Sequence, residues 1–160
     1  MNFVQLFQML DTNQSTNAKR SALVEFIETA HPLESALAVE ALTGRRQRRR
    51  LKPSLLKQAA YQAFAEESWL FEECHAAVGD LSETLAILFA DQDAVSQTED
   101  PVLSGWRARQ LELSKKEPDQ LMTELLSLLK SLSRDEAFLF LKLSSGGFRV
   151  GVSKGLVHDA

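Results

Sequence analysis

Cysteine is almost absent from this chain. Cys74 stands alone, which excludes an internal disulfide framework and points to a reducing compartment. No apolar run approaches the ~20 residues needed to span a bilayer. The N-terminal MNFVQLFQMLD lacks the basic start and the cleavage site of a secretory signal. A cytoplasmic protein that meets no membrane is expected. Catalytic signatures are missing too. The three histidines, His31, His75 and His158, are scattered. Cys74 and His75 are adjacent, so they point differently on a helix, and no second pair completes a zinc site. No HExxH, GxSxG or Ser/His/Asp pattern occurs. Glu66-Glu67 and Glu72-Glu73 read as solvated helix faces, and the aromatic residues, mostly phenylalanine at helical spacing, read as core. The chain shows no metal site and no catalytic centre of its own.

Glycine and proline are also few, seven and four, and the apolar spacing is mostly helical. Residues 3–10 read as a short helix. Ser15 or Thr16 can cap a second, in which Ala18, Ala22, Leu23, Phe26, Ile27 and Ala30 share one face. Pro32 opens a helix that runs to Leu42 and stops at Gly44, and Pro53 opens another to about Ala65. Further helices are expected over 68–77, over 80–90 with an Asp80/Glu83 capping box, over 103–114, over 118–131, and after a Ser133/Glu136 box up to Gly146-Gly147. Ser153 can cap a last one. Residues 91–102 read as an exposed acidic loop. The fold class is therefore all-α: nine or ten short helices, no strand, one domain by default or two small ones.

What is present in abundance is segregated charge. The net charge is −4, yet Asp and Glu are missing from residues 12–24, 41–65 and 137–158, which hold twelve of the eighteen Lys and Arg residues. If the fold gathers these stretches, they form a positive face on an acidic body, able to attract and orient a polyanion. The densest is ALTGRRQRRRLKP, residues 41–53, with Arg45, Arg46, Arg48, Arg49, Arg50 and Lys52. Two neighbouring carboxylates in sequence, Glu40 and Glu66, cannot neutralise five guanidinium groups. Phosphates can, because the planar guanidinium pairs with two oxygens at once.

A second stretch, SSGGFRVGVSKG, carries Gly146, Gly147, Gly151 and Gly155, which let a backbone approach a ligand closely. Ser153 opens a helix start suited to an anion, with Arg149 and Lys154 beside it. The GxxxxGK[ST] order of a nucleotide loop is missing. The third stretch, STNAK, gathers hydroxyl, amide and ammonium groups at a helix start. A helix–helix turn, a solvated basic loop and a plain N-cap are the ordinary structural alternatives for the three.

The segment LKLSSGGFRVGVSKGLV, residues 141–157, resembles the end of the N-terminal helical DNA-binding domain of ATP-dependent DNA ligases. STNAK, ALTGRRQRRR and VGDLSETLAIL agree with the bacterial branch of that family in the same order, so the resemblance covers nearly the whole chain. It implies a sequence-independent grip on nicked double-stranded DNA through phosphates and the minor groove, in a ligase that seals nicks during repair, replication and recombination. It implies contacts from Thr16, Asn17, Lys19, Thr43, Gly44, Arg45, Arg46, Arg48, Arg49, Arg50, Lys52, Gly146, Gly147, Arg149, Gly151, Ser153, Lys154 and Gly155. The arginine run is denser than the family's pattern. The ligase's own adenylation and OB domains are the implied partners, with ATP and Mg2+ serving the full-length enzyme and no cofactor in this chain. The family's Lys-x-Asp-Gly nucleophile motif starts at none of the eight lysines. A DNA-binding piece that cannot itself transfer AMP is therefore expected. From another functional class, a helical scaffold whose arginine loop docks an acidic protein is the alternative.

Overall fold

The computed structural model describes residues 1–44, 50–91, 102–146, 148 and 151–160. Among them lie ten α-helices and no strand, with one isolated bridge between Asp91 and Ser133. In chain order they are α1 (Phe3–Thr12), α2 (Thr16–Thr29), α3 (Pro32–Leu42), α4 (Pro53–Ala63), α5 (Ser68–Val78), α6 (Leu81–Phe89), α7 (Val102–Leu113), α8 (Pro118–Lys130), α9 (Arg134–Ser145) and α10 (Lys154–His158).

The ends follow from local chemistry. Ser15 caps α2 by accepting from the Ala18 N–H. Prolines open α3, α4 and α8, where a missing N–H costs nothing and the fixed φ is already helical. Gly44 and Gly79 follow α3 and α5 with φ of 64° and 77°, the left-handed region that glycine enters without a Cβ clash. The Asp80 box is only half formed. Asp80 accepts from the Glu83 N–H at 3.0 Å, but Glu83 pairs with Arg134 at 3.4 Å instead of reaching back. At Ser133 it is Glu136 that acts, accepting from both the backbone N–H (2.9 Å) and the hydroxyl (2.7 Å). The box at α1, reciprocal between Asn2 and Gln5, was not expected from the sequence. Val102, assigned by its neighbours to the acidic loop, instead opens α7 with a buried side chain. Residues 92–101 of that expected loop lie outside the described residues.

The described chain gathers into two compact units, each assembled from separated segments. The first holds α1, α2, α3, α10 and α7 as far as Ala108. Phe3 is fully buried against Phe26 and Phe148, with ring centres 6.3 and 6.0 Å away. The face expected for α2 is the packed one, with Ala22, Leu23 and Phe26 buried. Glu34 of α3, only 2% exposed, accepts from the Leu103 and Ser104 N–H groups at 2.7 and 2.8 Å. A carboxylate from another helix thus satisfies the free amides at the start of α7.

The second unit holds α4, α5, α6, α8, α9 and α7 from Arg109 onward. Here α6 lies along α9, and α4 packs on α5, α6 and α8. Phe71 is fully buried beneath Tyr61 and stacks on His75. The Phe140 carbonyl accepts from both Gln110 and Ser144, which keeps these buried polar groups satisfied. Among the described residues no helix is long and apolar enough to cross a membrane.

Candidate nucleic-acid interface

The first unit brings two of the three acid-free stretches together. Lys19, one turn into α2, donates from Nζ to the Gly151 carbonyl at 2.9 Å. Arg20 donates to the Asp159 carbonyl at 2.9 Å. Phe148 is buried against Phe3 and Phe7, the latter at 5.9 Å, and α10 packs on α2 and α3. The glycine turn is therefore held at both ends. Its residues Gly151, Ser153, Lys154 and Gly155 are all exposed, as are Thr16 and Asn17 at the start of α2.

The glycines divide by cause. Gly146 has φ 72° directly after α9, so the backbone itself asks for glycine there. Gly151 and Gly155 do not have positive φ. A Cβ on Gly151 would meet only Lys19 Nζ, at 3.6 Å, and one on Gly155 only Ser153 Oγ, at 3.8 Å. Neither position needs glycine for the fold, and both leave open space where a ligand's atoms can come close. Ser153 caps α10 by accepting from the Leu156 N–H at 3.1 Å, which leaves its hydroxyl hydrogen as a donor. Thr43, half-buried, spends its hydroxyl hydrogen on the Val39 carbonyl at 2.7 Å. Gly44 is exposed with nothing near its Cβ position.

In the second unit the last arginine of the run is pinned. The Arg50 and Leu51 N–H groups donate to the Ser144 carbonyl at 3.0 and 3.3 Å, and Leu51 is fully buried. This satisfies a carbonyl in the last turn of α9, and the negative end of that helix favours a cation beside it. Arg50 is half-buried and Lys52 exposed. Arg45, Arg46, Arg48, Arg49, Gly147 and Arg149 lie outside the described residues.

Ion pairing separates the basic residues only partly by origin, since Lys115 and Lys130, from acid-containing stretches, form no ion pair among the described residues. Arg107, Arg109, Lys116 and Arg134, all from acid-containing stretches, pair with carboxylates. Lys19, Arg20, Arg50, Lys52, Lys57 and Lys154, all from the acid-free stretches, form no ion pair among the described residues. Lys142 departs in the other direction. Acid-free only in sequence, it meets Asp80 in space and leaves the positive set. Burial pushes the Asp80 carboxyl up, but hydrogen bonds from Lys142 and from the Glu83 and Ser82 amides, with the Lys142 charge, bring it below the usual carboxylate range. Among the described residues no three His, Cys, Asp or Glu side chains gather to hold a metal.

The family model for the DNA ligase N terminus matches residues 1–160. The chain belongs to this family, as an N-terminal domain of an ATP-dependent DNA ligase. No curated protein matches it. The all-helical architecture of the ligase N-terminal domain is the one the sequence led us to expect. The unpaired cations of the domain are what the sequence could only suggest, because pairing depends on neighbours in space. Gln110 and Glu34, which fix α7 at its two ends, carried no signal in the sequence, since each finds its partner far along the chain.

Proposed function

We propose that this domain binds duplex DNA without regard to sequence, through phosphate and minor-groove contacts, within a ligase that seals nicks. What carries the proposal is the set of basic side chains from the acid-free stretches left without carboxylate partners among the described residues, in a protein of net charge −4. Cations without a carboxylate partner in an acidic chain are open to an anion from outside, even where, as at Lys19 and Arg20, they also hold a backbone carbonyl. The open space at Gly151 and Gly155 supports a partner whose backbone comes close, and DNA phosphates held by backbone amides, lysines and arginines fit that chemistry. Arg149 and the arginines of 45–49 join the proposal on their sequence alone. The partners would be nicked DNA and the ligase's adenylation and OB domains, with ATP and Mg2+ serving those domains, in cytoplasmic DNA repair, replication and recombination.

A gel-shift titration with nicked duplex, repeated with an acidic polypeptide as competitor, tests this. The expected result is a shift whose strength is similar for unrelated DNA sequences, with Arg149→Ala and Lys154→Ala weakening all of them about equally. A chain that ignores DNA and captures the acidic polypeptide would instead be a protein-docking scaffold. A variant that weakens one DNA sequence far more than the others would contradict a phosphate-based grip.

A further inference from the structure

The DNA-binding function proposed above reaches further than the residues the motifs mark, and the next step rests on it. Directly after the arginine run the chain is fixed by the two bonds to Ser144 and by buried Leu51, so α4 starts from a rigid point. α4 buries Leu56, Ala59 and Ala60. Its other side exposes Ser54, Lys57, Gln58 and Gln62, which with half-buried Tyr61 line one shallow hollow of about 450 Å³. From Ser54 to Gln62 that face runs about 12 Å along the helix at ~1.5 Å per residue.

An ordinary solvated helix face carries both charge signs at three- and four-residue spacing. This face carries none of the negative kind, because no Asp or Glu occurs between residues 41 and 65. Every exposed group on it is a hydrogen-bond donor, and Lys57 is without an ion pair among the described residues. The negative charge begins where the face ends. The Tyr61 hydroxyl donates to Glu72 at 3.0 Å, and Glu66, Glu67, Glu72 and Glu73 are all exposed.

We infer that the exposed face of α4 lies along the sugar–phosphate backbone of duplex DNA, with Lys57 on a phosphate, continuing the Arg50–Lys52 contact and ending at Tyr61. Lys57 acts as a point charge on phosphate oxygens. Ser54, Gln58 and Gln62 donate to phosphates or to minor-groove acceptors, which look alike for A·T and T·A pairs and so carry little sequence information. Glu72 marks the limit of the track, since phosphates beyond it would meet four carboxylates.

The test titrates nicked duplex against the whole chain carrying Lys57→Glu, with Lys130→Glu as the control. Lys130 is exposed at the end of α8, and its reversal changes net charge equally. Lys57→Glu is expected to weaken binding about tenfold and to reduce the slope of log K against log salt by ~0.9, one phosphate contact. Lys130→Glu is expected to cost less than about twofold, since it sits off the contact, and Glu72→Gln to strengthen binding about twofold, since it removes a negative charge at the end of the track. Equal losses from the two lysine reversals would mean that only net charge matters and would overturn the inference. If Lys154→Ala weakens binding while Lys57→Glu does not, the α4 track fails and the DNA-binding function stands. A wild-type chain that does not bind duplex overturns both. Lys57 is exposed and glutamate suits a helix as well as lysine does, so thermal melts are expected to show both reversals folded.

Discussion

Replacing Gly155 with alanine should move stability and DNA affinity in opposite directions. Gly155 lies in the first turn of α10, and its φ is not in the left-handed region. The added Cβ would meet nothing closer than Ser153 Oγ at 3.8 Å, an ordinary contact. Alanine is favoured over glycine by about 1 kcal/mol in a helix interior, and about half of that, ~0.5 kcal/mol, is reasonable in the first turn of a five-residue helix. In a domain of this size that corresponds to a rise in Tm of about 1–2 °C. The same methyl group occupies the open space in which a phosphate would approach the backbone. Lengthening one charge-assisted hydrogen bond there costs about 1.5 kcal/mol, roughly tenfold in affinity. Circular dichroism melts and fluorescence anisotropy with labelled nicked duplex measure the two effects on one sample. A variant that melts higher and binds as tightly as the parent would show that the glycine turn is only a connector, and the interface would have to be drawn without it.

Other perturbations separate struts from contacts. Lys19→Met removes the bond to Gly151 and should lower stability by about 1 kcal/mol, as for a half-exposed charged bond; if Lys19 also meets a phosphate, the salt slope of DNA binding drops by ~0.9, and an unchanged slope would make it a strut alone. Glu34→Ala leaves the buried Leu103 amide and the half-buried Ser104 amide without their acceptor and should cost about 3 kcal/mol, read as a loss of about 6–12 °C in Tm, whereas a loss under a few degrees would contradict the assigned role of Glu34. Asp80→Asn tests the depressed Asp80 carboxyl. Folding lowers its pKa, so its charge stabilises above the unfolded value of about 4 and that stability is lost as pH falls through the folded value. The variant should therefore be less stable than the parent at neutral pH, with the difference shrinking as pH falls below the unfolded value and through the lowered folded one, as followed by urea unfolding across pH; a difference undiminished in acid would point away from the Lys142 pair.

Much of the fold was legible because helix ends are local. Pro32, Pro53 and Gly44 act within a turn of where they stand, and each did in the structure what its position announced, while Ser15 rather than Thr16 proved to be the cap of α2. The capping boxes were legible only in part. Whether Glu83 reaches back to Asp80 depends on Arg134, fifty-one residues away, and no local pattern records that competitor. Val102 shows the same limit from the other side, since its acidic neighbours hid a buried residue that tertiary packing claims. As a guide to pairing, the acid-free stretches overcounted, because Asp80 sits outside the stretch that holds Lys142 and neutralises it through space, and undercounted, because Lys115 and Lys130 lie outside them and form no ion pair among the described residues. The glycine motif located the turn, while the distinction between Gly146, needed for its φ, and Gly155, free of any such need, required coordinates. The face of α4 escaped notice because a helix of Ser, Lys, Gln and Tyr looks ordinary until its missing carboxylates are set beside its exposure.

The most direct measurement is the affinity of the wild-type chain for nicked duplex across a salt series from about 50 to 200 mM. Unpaired cations meeting phosphates predict a straight fall of log K against log salt, with a slope of about −0.9 for each phosphate neutralised and a total of about −3 or steeper. A flat line, or no binding at the lowest salt, would contradict the account at its centre.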